Sequence, residues 1–397
     1  MGNVKNSNGA QRGAEAADFA LQVEYSQSCG LVTLLNQLNV SLAVSSYQSG
    51  LLYMIGRNPM GGLNVHEAAM PKPMGISWQE NGQLILAGGM EVLRFENILE
   101  PHERVNGNFD ACFVPRNVHT TGRLDAHDVG VTEDGQVIFV NTRFNCLATL
   151  SARHSFSPFW LPPFIDRIVD EDRCHLNGLA MRNGKPAFVT AVSRSNTVDG
   201  WRDRRVGGGV VIEVQTGRIV CDELSMPHSP RWHNGRLWVL NSGTGELGVV
   251  EGLDREAGRF GSQTGYFKPI AFCPGFLRGL AFCGNYAVVA LSKPRYERFE
   301  GLPLEQRLKE ADSSPWCGVQ IIDLKTGSCV EWFRIDGDVE ELYDVEVLPG
   351  FHAPMALSLG TPELAKLITW NKTEPSAEPP NDQSEPTNSS QQNSVII

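Results

Sequence analysis

Three short segments carry a histidine at matching places: Asp125-Ala-His-Asp-Val-Gly-Val131, Asp172-Arg-Cys-His-Leu-Asn-Gly-Leu-Ala180 and Met226-Pro-His-Ser-Pro-Arg-Trp232. Neutral imidazoles are good ligands for Zn, Fe, Mn or Cu, and three of them leave positions open for water or substrate. An ion held this way lowers the pKa of its bound water or polarises a substrate oxygen. His127, His175 and His228 are therefore the expected ligands of one divalent transition metal. Asp125, Asp128 and Asp172 stand close enough in sequence to fix the imidazole tautomers from behind.

Such convergence needs a scaffold, and the chain supplies a repeat. Six segments open on a Pro-, His- or Arg-containing turn, run through a small-apolar strand, turn back and climb a second strand. They begin near Pro73, His127, His175, Ser229, Leu277 and Asp344. Their spacing of about 50 to 65 residues is the scale of a four-stranded propeller blade. The expected fold is all-β, a six-bladed β-propeller. The strands before Lys72 either complete the last blade or form a seventh, and the last opening is expected to pair with Pro354 to Leu359. Longer gaps at 141–164, 193–205 and 293–315 read as loops, where propellers handle ligands.

In a propeller the first strand of each blade lines the channel and alternate side chains enter it. Aligning the openings on their small residue places Lys72, His127, His175, His228, Phe276 and Tyr343 in one ring. Two residues on come Met74, Val129, Asn177, Pro230, Arg278 and Val345. A guanidinium on an otherwise apolar strand needs an anionic partner. Arg278 and Tyr343 are thus the expected catalytic contacts, with Arg231, Asn177 and Asp344 binding substrate. Cys174, of opposite parity to His175, should face into the blade. Gly243-Thr-Gly-Glu-Leu-Gly248 matches a dinucleotide fingerprint in spacing, but it sits in a hairpin with no helix behind it.

The bulk numbers narrow the rest. A net charge of -11 and the lack of a basic amphipathic stretch speak against nucleic acid and anionic membranes as partners. Nine Cys, odd in number and never in a CxxC pair, read as the reduced thiols of a cytoplasmic protein. No secretory h-region and no run of transmembrane length is found. Residues 1–18 are polar and 372–397 are rich in Pro, Ser, Glu, Asn and Gln, so both are expected to stay disordered around one domain spanning 19–371. Val23 to Tyr25 fall in a short expected strand from Leu21, and Gly30 to Leu38 has the spacing of a short helix.

Val140-Asn-Thr-Arg-Phe-Asn-Cys-Leu-Ala-Thr149, Cys174-His-Leu-Asn-Gly-Leu-Ala180, Met226-Pro-His-Ser-Pro-Arg-Trp-His233 and Ser242-Gly-Thr-Gly-Glu-Leu-Gly248 resemble an uncharacterised family of bacterial conserved hypothetical proteins with predicted propeller folds. That resemblance spans roughly residues 20 to 370 and implies a fold without an activity. More distantly, Leu176-Asn-Gly-Leu179 is similar to the Asn-Gly step of gluconolactonase and senescence-marker-protein propellers, in which the Asn ligates a divalent metal. Only Asn177 carries over; their Glu and Asp ligands have no counterpart here. The three histidines look more like those of oligogalacturonate-lyase-type propellers.

The expected function is a metal-dependent hydrolase or lyase acting on a small polar or anionic molecule, or a peptide, by Lewis-acid chemistry. Two other readings stand beside it. One is an Fe- or Cu-dependent oxygenase using the same histidines, and the other is a non-catalytic propeller that binds a protein or peptide on one face.

Overall fold

In the computed structural model, which describes residues 22–254, 259–260, 264–294, 300–371 and 393–396, the six openings become the innermost strands of six sheets arranged around a channel. Blade 1 runs outward through Ile76–Trp78, Gln83–Ala87, Glu91–Asn97 and Ala111–Thr120; blade 2 through Ala126–Val131, Val137–Asn141, Cys146–Thr149 and Ser157–Trp160. Blade 3 comprises Leu176–Arg182, Lys185–Ala191, Gly209–Glu213 and Ile219–Leu224; blade 4 comprises Pro227–His233, Arg236–Asn241, Glu246–Glu251 and Tyr266–Phe272. Blade 5 holds Phe276–Cys283, Tyr286–Ser292, Cys317–Asp323 and Cys329–Gly337. The fold is a six-bladed β-propeller.

Ring closure joins the two ends of the chain. The inner strand of blade 6, Asp344–Pro349, pairs antiparallel with Val40–Ser46, which continues outward into Leu51–Arg57 and Leu63–Ala69. The N-terminal strands therefore complete the sixth blade, and among the described residues no seventh forms. Pro354 to Leu359, expected to follow Asp344–Pro349 in a hairpin, goes elsewhere: Pro354–Ala356 lies parallel to Ala111–Phe113 on the outer edge of blade 1. Proline cannot donate to an interior ladder and is at home on an edge. Val23–Gln27 covers the outer edge of blade 5 in the same manner, so both ends of the chain hide strand edges that would otherwise be free to pair.

Strands here read as continuous apolar runs because each blade is buried on both faces. In Val40–Ser46, Leu42 and Val44 pack toward blade 5 with Val319 and Phe333, whereas Ala43 packs toward blade 1 with Leu84 and Phe95. Val137–Asn141 splits likewise, Phe139 facing blade 1 and Ile138 and Val140 facing blade 3. Each fully buried Leu, Ile or Phe contributes roughly 1.5–3 kcal/mol, so stability resides in these inter-blade layers. At the axis the inner strands approach backbone to backbone, which explains the small residue of the repeat. A Cβ on Gly279, whose φ is +77, would stand 2.7 Å from Asp344 Cα.

Of the three expected loops, 141–164 instead contains the third and fourth strands of blade 2, each four residues long and too short to show an alternating pattern. The loop after Ala191 includes one 3-10 turn, Arg202–Arg204, and the stretch after Lys293 includes a helix, Pro303–Glu310, started by proline. The N-terminal helix forms at Leu31–Leu38 and the first strand at Val23–Gln27. No helix among the described residues is long and apolar enough to cross a membrane. Residues 1–18 and, of the tail 372–397 expected to be disordered, 372–392 and 397 lie outside the described residues; within that tail Asn393–Ile396 instead pairs with Ile368–Asn371 as a short ribbon.

Candidate active site at the channel mouth

Strand pairing sets the level of each side chain in the channel. Ala126 stands opposite Asn141, Leu176 opposite Ala191, Pro227 opposite Asn241 and Leu277 opposite Leu291. The residues that follow, His127, Asn177, His228 and Arg278, therefore form one layer. Thr142, Ser242 and Ser292 each donate a side-chain O–H to the neighbouring blade, at Leu176, Leu277 and Leu342 respectively. That repeated contact brings Tyr343 into the same layer. His175 stands one step nearer the mouth, level with Asp125 and Met226, and all three have φ near +50. Alignment on glycine placed His175 beside His127 and His228; the pairing places Asn177 there. β-Bulges between each opening and its glycine cause the shift.

All three imidazoles are oriented from behind. His127 Nδ1 donates to Asp125 O at 2.8 Å and His228 Nδ1 to Met226 O at 2.8 Å; a carbonyl only accepts, so the proton is on Nδ1 and Nε2 keeps its lone pair. His175 is held twice by Asp172, its backbone N–H at 3.0 Å from Oδ1 and its Nδ1 at 2.6 Å from Oδ2. This clamp stabilises a left-handed backbone that a non-glycine residue seldom adopts. The His127 and His175 rings meet edge to face at 5.1 Å, and the Tyr343 ring meets His127 at 5.5 Å. Arg278 lies 4.9 Å over the Tyr343 ring and forms an ion pair with Glu341.

A cavity of about 210 Å³ opens between these groups. Its walls are Met74, His127, Arg278 and Tyr343, then Asp125, His175, Met226 and Glu341 above them, with Asp172, Trp201, Arg202 and Tyr47 at the rim. His228 is not in the wall. Only 5% exposed, it meets Phe276 at 5.3 Å beneath an apolar cap of Trp201, Met226, Leu302, Leu304 and Leu308. Trp201 arrives from the long loop after blade 3's second strand and stacks on His175 at 4.2 Å, with Arg202 over the Trp201 ring at 4.5 Å.

The local electrostatics favour neutral bases and a protonated phenol. Burial, with His175 and Arg278 nearby, holds His127 well below the usual histidine range, and burial with Arg278 does the same to His228. Burial drives the Tyr343 hydroxyl well above its ordinary value, against the pull of Arg278. Among the described residues no three His, Cys, Asp or Glu side chains are gathered closely enough to hold a metal ion.

Deeper in the channel lies a second polar group, and it holds three of the residues expected near substrate or metal. Arg231 Nη1 donates to Asp128 Oδ2 at 2.7 Å and to Leu179 O at 3.1 Å, Nε donates to Leu280 O at 3.1 Å, and Nη2 is 3.5 Å from Asp344 Oδ1. Asp128 also accepts from the N–H of Leu179, and Asp344 from that of Ile76. Neither Arg231 nor Asp344 lines the cavity, because each is spent tying blades together. Asn177 Nδ2 donates to Pro227 O at 2.9 Å, another tie between blades. Cys174 is fully buried and faces the layer between blades 2 and 3.

Sequence reasoning missed Trp201, Arg202, Glu341 and Tyr47. None follows an inner-strand register, and the one signal was an Arg-rich insertion, Trp201-Arg-Asp-Arg-Arg205, in a stretch already read as a face loop.

Solved propellers resemble the chain at low identity. A chain of a nidogen/laminin complex aligns with TM-score 0.47 and 10% identity over 78% of this chain and 99% of its own. A gluconolactonase from Xanthomonas campestris aligns with TM-score 0.43 and 12% identity over 77% and 87%. A virginiamycin B lyase from Staphylococcus aureus aligns with TM-score 0.37 and 11% identity over 79% and 99%. No curated protein sequence matches. Residues 29–357, from the N-terminal helix to the strand that latches blade 1, match the family described as Domain of unknown function (DUF4915), and the chain belongs to that family.

Proposed function

We propose that the channel mouth is the active site of a hydrolase or lyase that moves protons on a small polar or anionic substrate. One observation carries this reading: the Asp172–His175 pair and His127 stand 5.1 Å apart, ring to ring, in the wall of a small polar cavity, each with Nδ1 engaged and Nε2 unpartnered by protein. A carboxylate behind an imidazole fixes its tautomer and stabilises the imidazolium that forms when Nε2 takes a proton. His175 is the general base, removing a proton from substrate or from an attacking water. Once protonated, His175 returns that proton to the leaving group, while neutral His127, its ring proton donated to Asp125 O, accepts a hydrogen bond from substrate at Nε2. Arg278 meets negative charge that develops on substrate oxygen, and Tyr343 supplies a neutral O–H donor.

The three-histidine metal centre expected from the spacing fits these residues poorly. Asn177 takes the place in the layer where the third imidazole was wanted, His228 is capped, and the Arg278 guanidinium already brings a positive charge among the donors. No step is therefore assigned to an ion.

The test is a panel of small lactones, esters and hydroxy acids incubated with the protein in D2O and followed by proton NMR, which reads both turnover and exchange of carbon-bound protons. Wild type is expected to act on members of the panel, and His175→Gln to lose about 10²- to 10⁴-fold of that rate, the usual contribution of a positioned general base. Turnover that survives in the His127→Gln, His175→Gln double variant would remove the imidazoles from the mechanism.

A further inference from the structure

His175 stands one step nearer the mouth than the layer shared by the inner strands, and its imidazole is tied by one bond, from Nδ1 to Asp172 Oδ2 at 2.6 Å. A single hydrogen bond fixes a point on a ring and not its plane, because the terminal torsion of histidine is broad. What stops the plane is Trp201, stacked on the imidazole at 4.2 Å with 26° between the rings. The loop that delivers it is fastened to the same dyad. Asp199 donates its backbone N–H to Asp172 O at 2.9 Å, its Oδ1 accepts from Arg202 Nε at 2.9 Å, and Arg202 lies 4.5 Å over the Trp201 ring. Asp172, Asp199, Arg202, Trp201 and His175 thus form a closed circuit of contacts that starts and ends on the residue behind the base.

A second fastening comes from the stretch whose spacing imitates a dinucleotide fingerprint. Gly243 O accepts the N–H of Leu304 at 2.8 Å, and a Cβ on Gly245, whose φ is +72, would stand 2.8 Å from Leu304 Cδ1. Glu246 pairs with Arg307 and accepts from Thr244 Oγ1 at 2.7 Å. These residues seat the helix Pro303–Glu310, and its Leu304 and Leu308 share one apolar cluster with Trp201, itself only 7% exposed. A side chain locked by packing on one side can hold its neighbour in a fixed pose on the other. We infer that Trp201 is a positioning residue for His175: its plane stops the imidazole swinging about the Asp172 bond and keeps Nε2 aimed at the cavity. The inference rests on the active-site reading above and adds how the base is held.

The test compares Trp201→Met and Trp201→Phe with wild type in two readouts, one of them independent of turnover. In proton NMR of the full chain, the Nδ1–H of His175, identified by its loss in His175→Gln, should give a downfield resonance that the Asp172 bond protects from exchange. Trp201→Met fills space without a plane and should lose that resonance to exchange with water, whereas Trp201→Phe keeps it. On the substrate panel kcat should fall about ten- to a hundredfold in the Met variant with KM within about threefold, and the Phe variant should recover most of it. In a His175→Gln background Trp201→Met should cost nothing further, since it acts through that imidazole alone. Trp201→Leu takes the place of the Met variant if that one does not fold. An unchanged resonance in the Met variant overturns the inference, as does a wild type without the resonance, a Phe variant as impaired as the Met variant, or a kcat loss that persists undiminished on His175→Gln. If no member of the panel turns over, the resonance alone decides. Its loss in the Met variant and survival in the Phe variant keep the positioning role while the proposed reaction falls.

Discussion

The channel carries two polar clusters one above the other, built from the same residue types and treated in opposite ways. In the deeper one, Arg231 reaches Asp128 and Asp344 and the carbonyls of Leu179 and Leu280, and the carboxylates take backbone N–H groups from neighbouring blades. At the mouth, Arg278 has a partner in Glu341 but keeps Nε free, and Tyr343 and Trp201 keep a donor each. A charged group inside a propeller is thus no sign of function in itself. What distinguishes the site is capacity left over after the protein's own partners are counted.

If the deeper cluster is structural, its loss must show in stability. Arg231→Leu leaves Asp128 and Asp344 buried without their shared cation and should lower unfolding free energy by about 3–5 kcal/mol in urea titrations. A loss under about 1 kcal/mol would break the comparison. Gly279→Ala probes the close approach that places the cluster. With a Cβ forced to 2.7 Å from Asp344 Cα at a positive φ, it should cost about 1–3 kcal/mol.

The pH dependence sharpens the same contrast. Burial pushes Glu346, next to this cluster, from 4.5 up to about 8, against the pull of Arg231. Between those values Glu346 holds a proton in the folded chain that the unfolded chain has released, so its contribution to stability falls as pH rises through that window, while the depressed His127 and His228 act in the opposite sense below about 6.5. The slope approaches about 1.4 kcal/mol per pH unit for one proton. Glu346→Gln should remove that contribution, read as the difference from wild type in urea midpoints between pH 5 and 8, with the share of Asp344, raised to about 7, left in place. The smallest expected effect belongs to the mouth. Tyr343→Phe removes an unpartnered buried hydroxyl and His175→Gln alters a half-buried residue of the cavity wall, so each should shift stability by less than about 1 kcal/mol while changing binding or turnover. A mouth variant that unfolds the protein would make the two clusters alike.

Much of the architecture was legible beforehand. Inner strands with a small residue, hairpin turns and apolar climbs marked six units because every blade must bury both faces and let its inner strand approach its neighbours. Four-residue strands at Cys146–Thr149 and Ser157–Trp160 gave no periodic signal and looked like loop. Ring closure by Val40–Ser46 was one of two options, since pairing across some 300 residues leaves no local mark. His127, His175, Arg278 and Tyr343 were singled out and do share a cavity wall; Arg231, Asn177, Asp344 and His228 were singled out with them and do not line it.

Residue types alone determined that imidazole, guanidinium and phenol would face a common axis, because a period of two on strands that start at the channel leaves few other directions. Only the folded chain decided which of them still have something to offer. A bulge of one residue changes the level at which a histidine stands, and Arg231 finds Asp128 across 103 positions of sequence. A loop outside the repeat sets Trp201 against His175. Saturation of a polar group is a property of its neighbours in space, and those are chosen by packing between blades.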